Sequence, residues 1–220
     1  PQVRRRVLLL VLASGLALFL WRLGSSGLVD ETPPLFAASA RAMAETGDWL
    51  TPRVNGLPRY DKPPLVYWLM GLGYLLPGQS LWNPLGSWAA SLPSALSSVG
   101  VMLALAATLL RWPQPLPAAA PKGVASSTRS ALTAFCAALA FALSPLVLIW
   151  SRVAVSDSLF TGTLALGLLL FWRRYAEPET QPWWLGWLLL GLAVLTKGPV
   201  ALVLVGLTLA LFAWWQGQPL

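Results

Sequence analysis

Long runs without a charged side chain divide this sequence and limit how it can fold. A helix needs about 20 mainly apolar residues to cross a bilayer, and somewhat fewer when its ends are anchored. The charge-free runs therefore predict six membrane-spanning helices, over residues 7–21, 84–110, 131–150, 158–172, 183–196 and 199–215. The last two runs are short, and the Lys197-Gly198-Pro199 turn between them predicts a helical hairpin. A cleaved signal peptide is the alternative for the first run, but no A-x-A-like cleavage site follows it.

Composition agrees with an integral membrane protein. Hydrophobic residues make up 56% of the chain and charged residues only 10%, whereas soluble domains carry about 25% charged residues. Most of the 13 tryptophans lie at or near the ends of the charge-free runs. Tryptophan favours the membrane–water interface, so these rings support the predicted limits of the spans.

The same composition excludes several kinds of chemistry. The chain has no histidine and a single cysteine, Cys136, so it holds no histidine base, no intrachain disulfide and no cysteine-cluster zinc site. Acid–base catalysis must come from the eight carboxylates, from lysine or from tyrosine. No exposed basic face is visible, and we expect no nucleic-acid partner.

The run over residues 63–77 decides the predicted topology. It opens with Pro63-Pro64, contains two glycines and is shorter than a usual span, so we interpret it as an interfacial helix. The basic segments at 4–6, 111–130 and 173–174 then all lie on one side, as the positive-inside rule requires. The outer side receives the loop over residues 25–83 and most of the carboxylates: Asp30, Glu31, Glu45, Asp48, Asp61 and Asp157.

Charge is absent from the middle of every predicted span, although ion pumps and many carriers place ionisable residues there. The polar groups instead crowd at the outer membrane boundary. This distribution favours an enzyme whose substrate has a lipid tail in the membrane and a polar head at its surface.

Individual signals in the outer loop also have structural interpretations. Residues 35–45 predict a short surface helix, and an acidic pair such as Asp30-Glu31 before a helix is more often a cap than a catalyst. Lys62 fits a charge that snorkels to the interface. Asp157 opens a predicted span and also fits a helix cap.

Taken together, the motifs of this loop resemble glycosyltransferase family 39, which includes protein O-mannosyltransferases and bacterial aminoarabinose transferases that modify lipid A. They read D-E-T, A-x-A-R-A-M, T-G-D-W-L-T-P-R-V-N-G and Y-D-K-P-P-L-V-Y-W, and S-R-V-A-V-S-D-S-L and V-L-T-K-G-P-V-A-L follow in the family's order. The resemblance covers nearly the whole chain. It implies an all-α, polytopic membrane protein with the C-type (GT-C) glycosyltransferase fold and interfacial helices in its first outer loop.

The resemblance also implies roles for particular residues. The catalytic acidic residues fall on Asp30, Glu31 and Asp157. The groups that bind the phosphate of the donor lipid fall on Lys62, Arg41 and Arg59, and supporting residues fall on Tyr60, Asp61 and Lys197. Family members often read D-E-x-R-Y-A-E, whereas here Pro33-Pro34 follows D-E-T, so the first arginine of the family is missing.

The implied reaction moves a sugar, with inversion, from a polyprenyl-phosphate donor to a hydroxyl or phosphate on a lipid or protein acceptor. It takes place at the outer face of the inner (plasma) membrane, among membrane lipids. No organic cofactor is implied and no metal site is predicted, although Asp30, Glu31 and Asp61 offer oxygen ligands for a divalent cation. Family members are usually more than twice as long, so we expect an N-terminal portion. A lipid carrier or flippase and a non-catalytic truncated protein are the alternatives.

Overall fold

The computed structural model describes residues 2–25, 27–76, 88–113, 126–179 and 182–217, and within these ranges the chain is predominantly helical. The elements are α1 (Gln2–Leu20), α2 (Thr32–Thr46), β1 (Arg53–Val54), β2 (Leu57–Pro58), α3 (Leu65–Tyr74), α4 (Trp88–Arg111), α5 (Ser126–Ala142), α6 (Pro145–Trp150), α7 (Ser156–Ala176), α8 (Trp183–Lys197) and α9 (Val200–Gln216). Each charge-free run is therefore mainly helical where it is described. Residues 84–87 of the second run lie outside the described residues.

One predicted run is not a single helix. Residues 131–150 were expected to be continuous, but α5 ends at Ala142 and α6 begins at Pro145. Proline has no N–H to donate and disfavours helical geometry in the residue before it. Ser144 accordingly has an extended backbone, with φ −56° and ψ 128°. Pro93 is tolerated inside α4, since that helix continues through it.

Among the described residues, six helices pack against one another as a bundle: α1, α4, α5, α7, α8 and α9. Helix α4 lies against α1, α5 and α7, and α7 also packs against α8, which pairs with α9. Small buried residues line the contact of α4 with α1 and α5, among them Ala95, Ala106, Ala134 and Ala138. Their short side chains let the helix backbones approach closely.

Arginines of α1, α4 and α7 meet at one end of this bundle, which we call the arginine end. Arg111 at the end of α4 donates to Glu177, just after α7, with an Nη2 to Oε2 distance of 2.6 Å. Arg4 of α1 lies close enough to Arg173 of α7 for their charges to repel. The start of α1 and the ends of α4 and α7 therefore meet, as the charge pattern predicts.

The opposite end, which we call the loop end, carries α2, the β-hairpin and α3. The expected surface helix over residues 35–45 is present as α2, which begins earlier, at Thr32, because two prolines occupy its first turn. The run over residues 63–77 forms the ten-residue α3. At 1.5 Å per residue, a helix of that size is about 15 Å long, half of a hydrocarbon core of about 30 Å.

A small β-hairpin of two-residue strands is added to the predicted all-α fold. Strand β1 pairs antiparallel with β2, and Asn55 and Gly56 form the turn with positive φ angles of 52° and 79°. Two left-handed residues define the tight turn that Asn-Gly favours. The Asn-Gly pair of the V-N-G-L segment is the sequence signal for this hairpin.

The helices differ in whether they are long and apolar enough to cross a membrane. Among the described residues, one helix, Trp88–Arg111, is both long and apolar enough to cross a membrane. Three shorter helices are also apolar: Leu65–Tyr74, Trp183–Lys197 and Val200–Gln216. The number of membrane crossings stays a prediction.

Candidate active site

A shared hydrophobic core brings together the three segments that carry the predicted site. Buried residues of α2, α3, the start of α4 and the α6–α7 turn form one cluster, which includes Phe36, Tyr67, Ala154 and Leu159. Leu28 packs against this cluster two residues before Asp30. Asp157 lies between Ala154 and Leu159, and Lys62 lies three residues before Leu65 of the same cluster. The fold therefore places all three predicted residues at the loop end.

Asp30 has a backbone conformation that is unusual for its residue type. Its φ is +80°, in the left-handed region that a residue with a Cβ seldom adopts. The side chain is exposed, and Oδ1 accepts a hydrogen bond from the Glu31 N–H at 2.8 Å. Glu31 is the N-cap residue of α2, but no side chain caps that helix. The capping interpretation of the Asp30-Glu31 pair is therefore not supported, and backbone strain of this kind is often found at functional sites.

The sequence motif T-G-D-W-L-T-P-R builds the loop before the hairpin. Gly47 ends α2 in the left-handed conformation, and the Asp48 carboxylate accepts hydrogen bonds from the Leu50 and Thr51 N–H groups. The Trp68 indole donates to the Trp49 carbonyl at 2.7 Å, which ties the loop to α3. The residues with the most specific family pattern therefore set the shape of the loop that leads to Lys62.

Asp61 is the centre of a hydrogen-bonded cluster. Arg59 donates to both of its carboxylate oxygens, at 2.8 and 2.5 Å, and the buried Tyr67 hydroxyl donates to Oδ1 at 3.0 Å. These contacts, Arg59 first, hold the pKa of the Asp61 carboxyl below its usual value. Burial and the bond to Asp61 raise the pKa of Tyr67. Asp61 is therefore an anion already paired with Arg59.

Lys62 differs from its neighbours in its pairing. Among the residues that the structure describes, none forms a hydrogen bond or ion pair with the Lys62 ammonium. Arg59 is paired with Asp61, and Arg41 donates to Glu45 at 2.6 Å. Tyr60 is 74% exposed. Of the three predicted phosphate ligands, Lys62 is therefore the one whose charged group is most available to an anion.

Asp157 forms an ion pair rather than a helix cap. The N-cap of α7 is Val155, with no side-chain capping bond. The Lys197 ammonium donates to Asp157 Oδ1 at 2.5 Å and lies 5.6 Å from the centre of the Phe160 ring. The pair joins the start of α7 to the end of α8, a contact that the sequence motifs did not predict.

Two cavities lie next to these groups. One, of about 440 Å³, opens beside Asp157 between α4, α6 and α7, and its polar lining consists mostly of hydroxyls: Ser98, Ser144, Ser151, Ser158 and Thr161. The other, of about 480 Å³, lies between α3, α4 and α7 and is lined mainly by leucine. A cavity that carries several hydroxyls and an apolar groove therefore adjoin the loop end.

No cluster of three acidic or cysteine side chains suited to a metal ion occurs within the described ranges. Asp30 is bonded to its neighbour's N–H and Asp61 to Arg59 and Tyr67. A requirement for a divalent cation stays an open expectation.

Arg152 was not among the predicted site residues, and its guanidinium contacts four carbonyls at the end of α1. The motif S-R-V-A-V-S-D contains it, five residues before Asp157. The charge of Arg152 at the edge of a predicted span was the sequence feature that could have marked it as functional.

Comparison with known proteins identifies the family. The model of the dolichyl-phosphate-mannose-protein mannosyltransferase family matches residues 61–218. The chain belongs to this family. The resemblance to glycosyltransferase family 39 is thereby confirmed.

Several relatives match nearly the whole chain. An undecaprenyl phosphate-alpha-4-amino-4-deoxy-L-arabinose arabinosyl transferase of Pseudomonas aeruginosa (strain LESB58) is 31% identical over 217 residues, which is 97% of this chain and 36% of the relative. A protein of Aquifex aeolicus (strain VF5) is 32% identical over 89% of this chain and 35% of its own length. The chain thus spans about a third of the length of the relatives it matches.

Solved structures show the same fold. ArnT from Cupriavidus metallidurans, in its apo state and bound to undecaprenyl phosphate, matches 94% of this chain and 35% of ArnT with a TM-score of 0.74 and 26% identity. The helical C-type fold expected for this mannosyltransferase family is therefore confirmed.

Proposed function

We propose that this protein is a membrane glycosyltransferase that moves a sugar from a polyprenyl-phosphate donor to a hydroxyl or phosphate on a lipid or protein. The observation that carries the proposal is that the three chain segments bearing Asp30, Lys62 and Asp157 each pack a neighbouring residue on one core cluster. The name of the Pseudomonas relative, which specifies an undecaprenyl-phosphate-linked aminoarabinose, supports a donor of that class.

Lys62 binds the donor phosphate in this proposal. A partly exposed ammonium without a protein partner among the described residues can donate to phosphate without first breaking an ion pair. It also stabilises the negative charge that grows on the phosphate as the glycosidic bond breaks. Arg59 and Arg41 assist from the same loop, although each already pairs with a carboxylate.

The prenyl chain lies in the leucine-lined groove between α3, α4 and α7. Lys62 lies three residues before the start of α3, and Leu69 and Leu72 of that helix line the groove. A polar head held at Lys62 would direct its lipid tail along α3 toward this apolar groove. Burial of that tail contributes binding free energy in proportion to its apolar area.

Asp30 acts as the general base. Its exposed carboxylate accepts the proton of an acceptor hydroxyl while the hydroxyl oxygen attacks the anomeric carbon. The bond from that carbon to the phosphate oxygen breaks as the new glycosidic bond forms, so one displacement inverts the anomeric centre. Asp157, which accepts a hydrogen bond from Lys197, orients the sugar or acceptor hydroxyls beside the cavity that Ser98, Ser151 and Ser158 line.

We further infer a polytopic protein of the inner membrane, with the loop end facing outward. Six bundle helices follow the six charge-free runs, and the arginine end collects the basic segments that remain cytoplasmic in most membrane proteins. This topology places Asp30, Lys62 and Asp157 at the outer surface, where a lipid-linked donor presents its head.

The activity test uses Asp30→Asn. Transfer from a labelled undecaprenyl-phosphate sugar should fall by at least about 100-fold, the usual effect of losing a general base. Binding of undecaprenyl phosphate should persist, because Lys62 and the leucine groove are unchanged. Glu179→Gln removes one carboxylate from the exposed end of the chain segment after α7 and serves as the charge-matched control.

The alternatives give different results in the same membranes. A lipid flippase would keep its transport rate in the Asp30→Asn variant and would show no sugar transfer in the parent protein. A normal rate of sugar transfer by Asp30→Asn would refute the role of Asp30 as the base.

A further inference from the structure

Arg152, in the turn between α6 and α7, closes the end of a helix 130 residues earlier in the chain. Its Nη1 donates to the carbonyl oxygens of Leu18 and Phe19 at 2.7 and 3.5 Å. Its Nη2 donates to those of Trp21 and Arg22 at 2.9 and 3.5 Å. One guanidinium therefore contacts four carbonyls where α1 ends.

The end of α1 needs such a partner. The last carbonyls of a helix have no intrahelical donor, and the helix dipole favours a cation near them. The last turn of α1 contains no basic residue of its own. The planar guanidinium of Arg152 supplies several donors in a fixed geometry, which a lysine would not reproduce.

The turn that carries Arg152 is itself fixed by α4. The Ser94 hydroxyl donates to the Val155 carbonyl at 3.2 Å, and the Ser97 hydroxyl donates to the Ser158 carbonyl at 3.0 Å. The buried hydroxyls of Ser98 and Ser151 share a hydrogen bond of 2.6 Å. Asp157 lies inside this fixed segment, so its position is set by α4 rather than by α1.

The segment from α1 to Asp30 depends on where α1 ends. It runs through left-handed residues at Arg22, Gly24, Gly27 and Asp30 and forms three consecutive tight turns between Leu20 and Gly27. Left-handed conformations at Arg22 and Asp30 are unfavourable and persist only when the surroundings hold them. Arg152 binds the carbonyls of Trp21 and Arg22, at the first of these turns.

We infer that Arg152 is a positioning residue that sets the place of the Asp30 segment relative to Asp157. The residue touches no proposed substrate group. It joins the α4-bound turn that carries Asp157 to the start of the chain segment that carries Asp30. The effect on catalysis rests on the proposed function, whereas the geometric effect does not.

The test measures distances in the membrane-reconstituted protein, with Cys136→Ala as the background. Spin labels on the exposed positions 38 of α2 and 161 of α7 report the relation between the Asp30 segment and the start of α7. Labels on the exposed positions 132 and 175 report the arginine end. Arg152→Gln should widen the distance distribution of the first pair and leave the second unchanged.

Two further variants make the result specific. Arg111→Gln removes an arginine contact at the other end of the bundle and should leave the 38–161 distribution as in the parent. Arg152→Lys keeps the charge but not the fork of donors, so it should restore the distribution only in part. If Arg152→Gln does not fold, the 38–161 distance can still be measured in Arg152→Lys.

Kinetics separate positioning from general stability. Arg152→Gln should lower kcat about 10- to 100-fold, because small displacements of catalytic groups are costly, while KM for the donor stays nearly constant. An unchanged 38–161 distribution, equal widening at both label pairs, or a widened distribution with normal kcat would each overturn the inference. Widening at 38–161 in a protein whose parent transfers no sugar would refute the proposed function and leave the positioning role standing.

Discussion

Gly73, near the end of α3, lies against the backbone of the first turn of α4. A Cβ added at this position would be 2.8 Å from the Ala89 carbonyl oxygen and 3.3 Å from its carbon. Ordinary contact begins near 3.4 Å, so the methyl group of Gly73→Ala would force α3 away from α4. The atom it meets is backbone, which cannot turn aside as a side chain can.

The magnitude follows from two opposing effects. Overpacking a close contact costs about 1–3 kcal/mol, and alanine gains up to about 1 kcal/mol over glycine inside a helix. Gly191 of α8 has no atom within 4 Å of an added Cβ. Gly191→Ala should therefore gain helix stability without a steric clash. The difference in unfolding free energy between the two variants should therefore be about 1–3 kcal/mol, with Gly73→Ala the less stable.

The assay is thermal unfolding of the purified protein in detergent, followed by tryptophan fluorescence. For a chain of this size, 1 kcal/mol corresponds to a shift in Tm of about 2–4 °C. Because α3 follows Lys62, Gly73→Ala should also weaken binding of undecaprenyl phosphate, whereas Gly191→Ala should not. A Tm for Gly73→Ala equal to or above that of Gly191→Ala would refute the close packing of α3 on α4.

Two other predictions concern charge and topology. Arg59 and Tyr67 lower the pKa of Asp61, so its stabilising contribution is present above the unfolded pKa of 3.8 and is lost as pH falls through the lower folded value. Between about pH 5 and pH 3 the parent should lose more Tm than Asp61→Asn does, and equal losses would contradict this. With Cys136→Ala as background, an impermeant thiol reagent should label single cysteines from outside at Asp30, Lys62 and Asp157. Labelling at the third position only from inside would refute the topology.

Much of the helical framework could be predicted because its cause is local. Runs without charge favour helix in an apolar environment, and proline and glycine mark where the helices stop. Gly198, with φ of 82°, and Pro199 end α8 as the turn signal indicates. The break at Ser144-Pro145 followed the same rule, but the hydrophobic run obscured it. The Asn55-Gly56 hairpin was also legible in the residues.

The site was predictable only as a set of separate residues. The motifs identified Asp30, Lys62 and Asp157, but the neighbouring sequence does not show which carboxylates form ion pairs. Asp61 pairs with Arg59, two residues away, whereas Asp157 pairs with Lys197, which is 40 residues away in sequence. The structure therefore separates a lysine available to an anion from arginines that already bind carboxylates.

The sequence by itself determined the class of the protein, the helical runs, the segregation of basic residues and the family, since these depend on composition, periodicity and motifs along the chain. Only the tertiary structure decided that α3 packs on α4 and that Arg152 closes α1 beside the segment of Asp30. These contacts join residues far apart in sequence through the packing of helices, and no single segment determines the geometry of that packing.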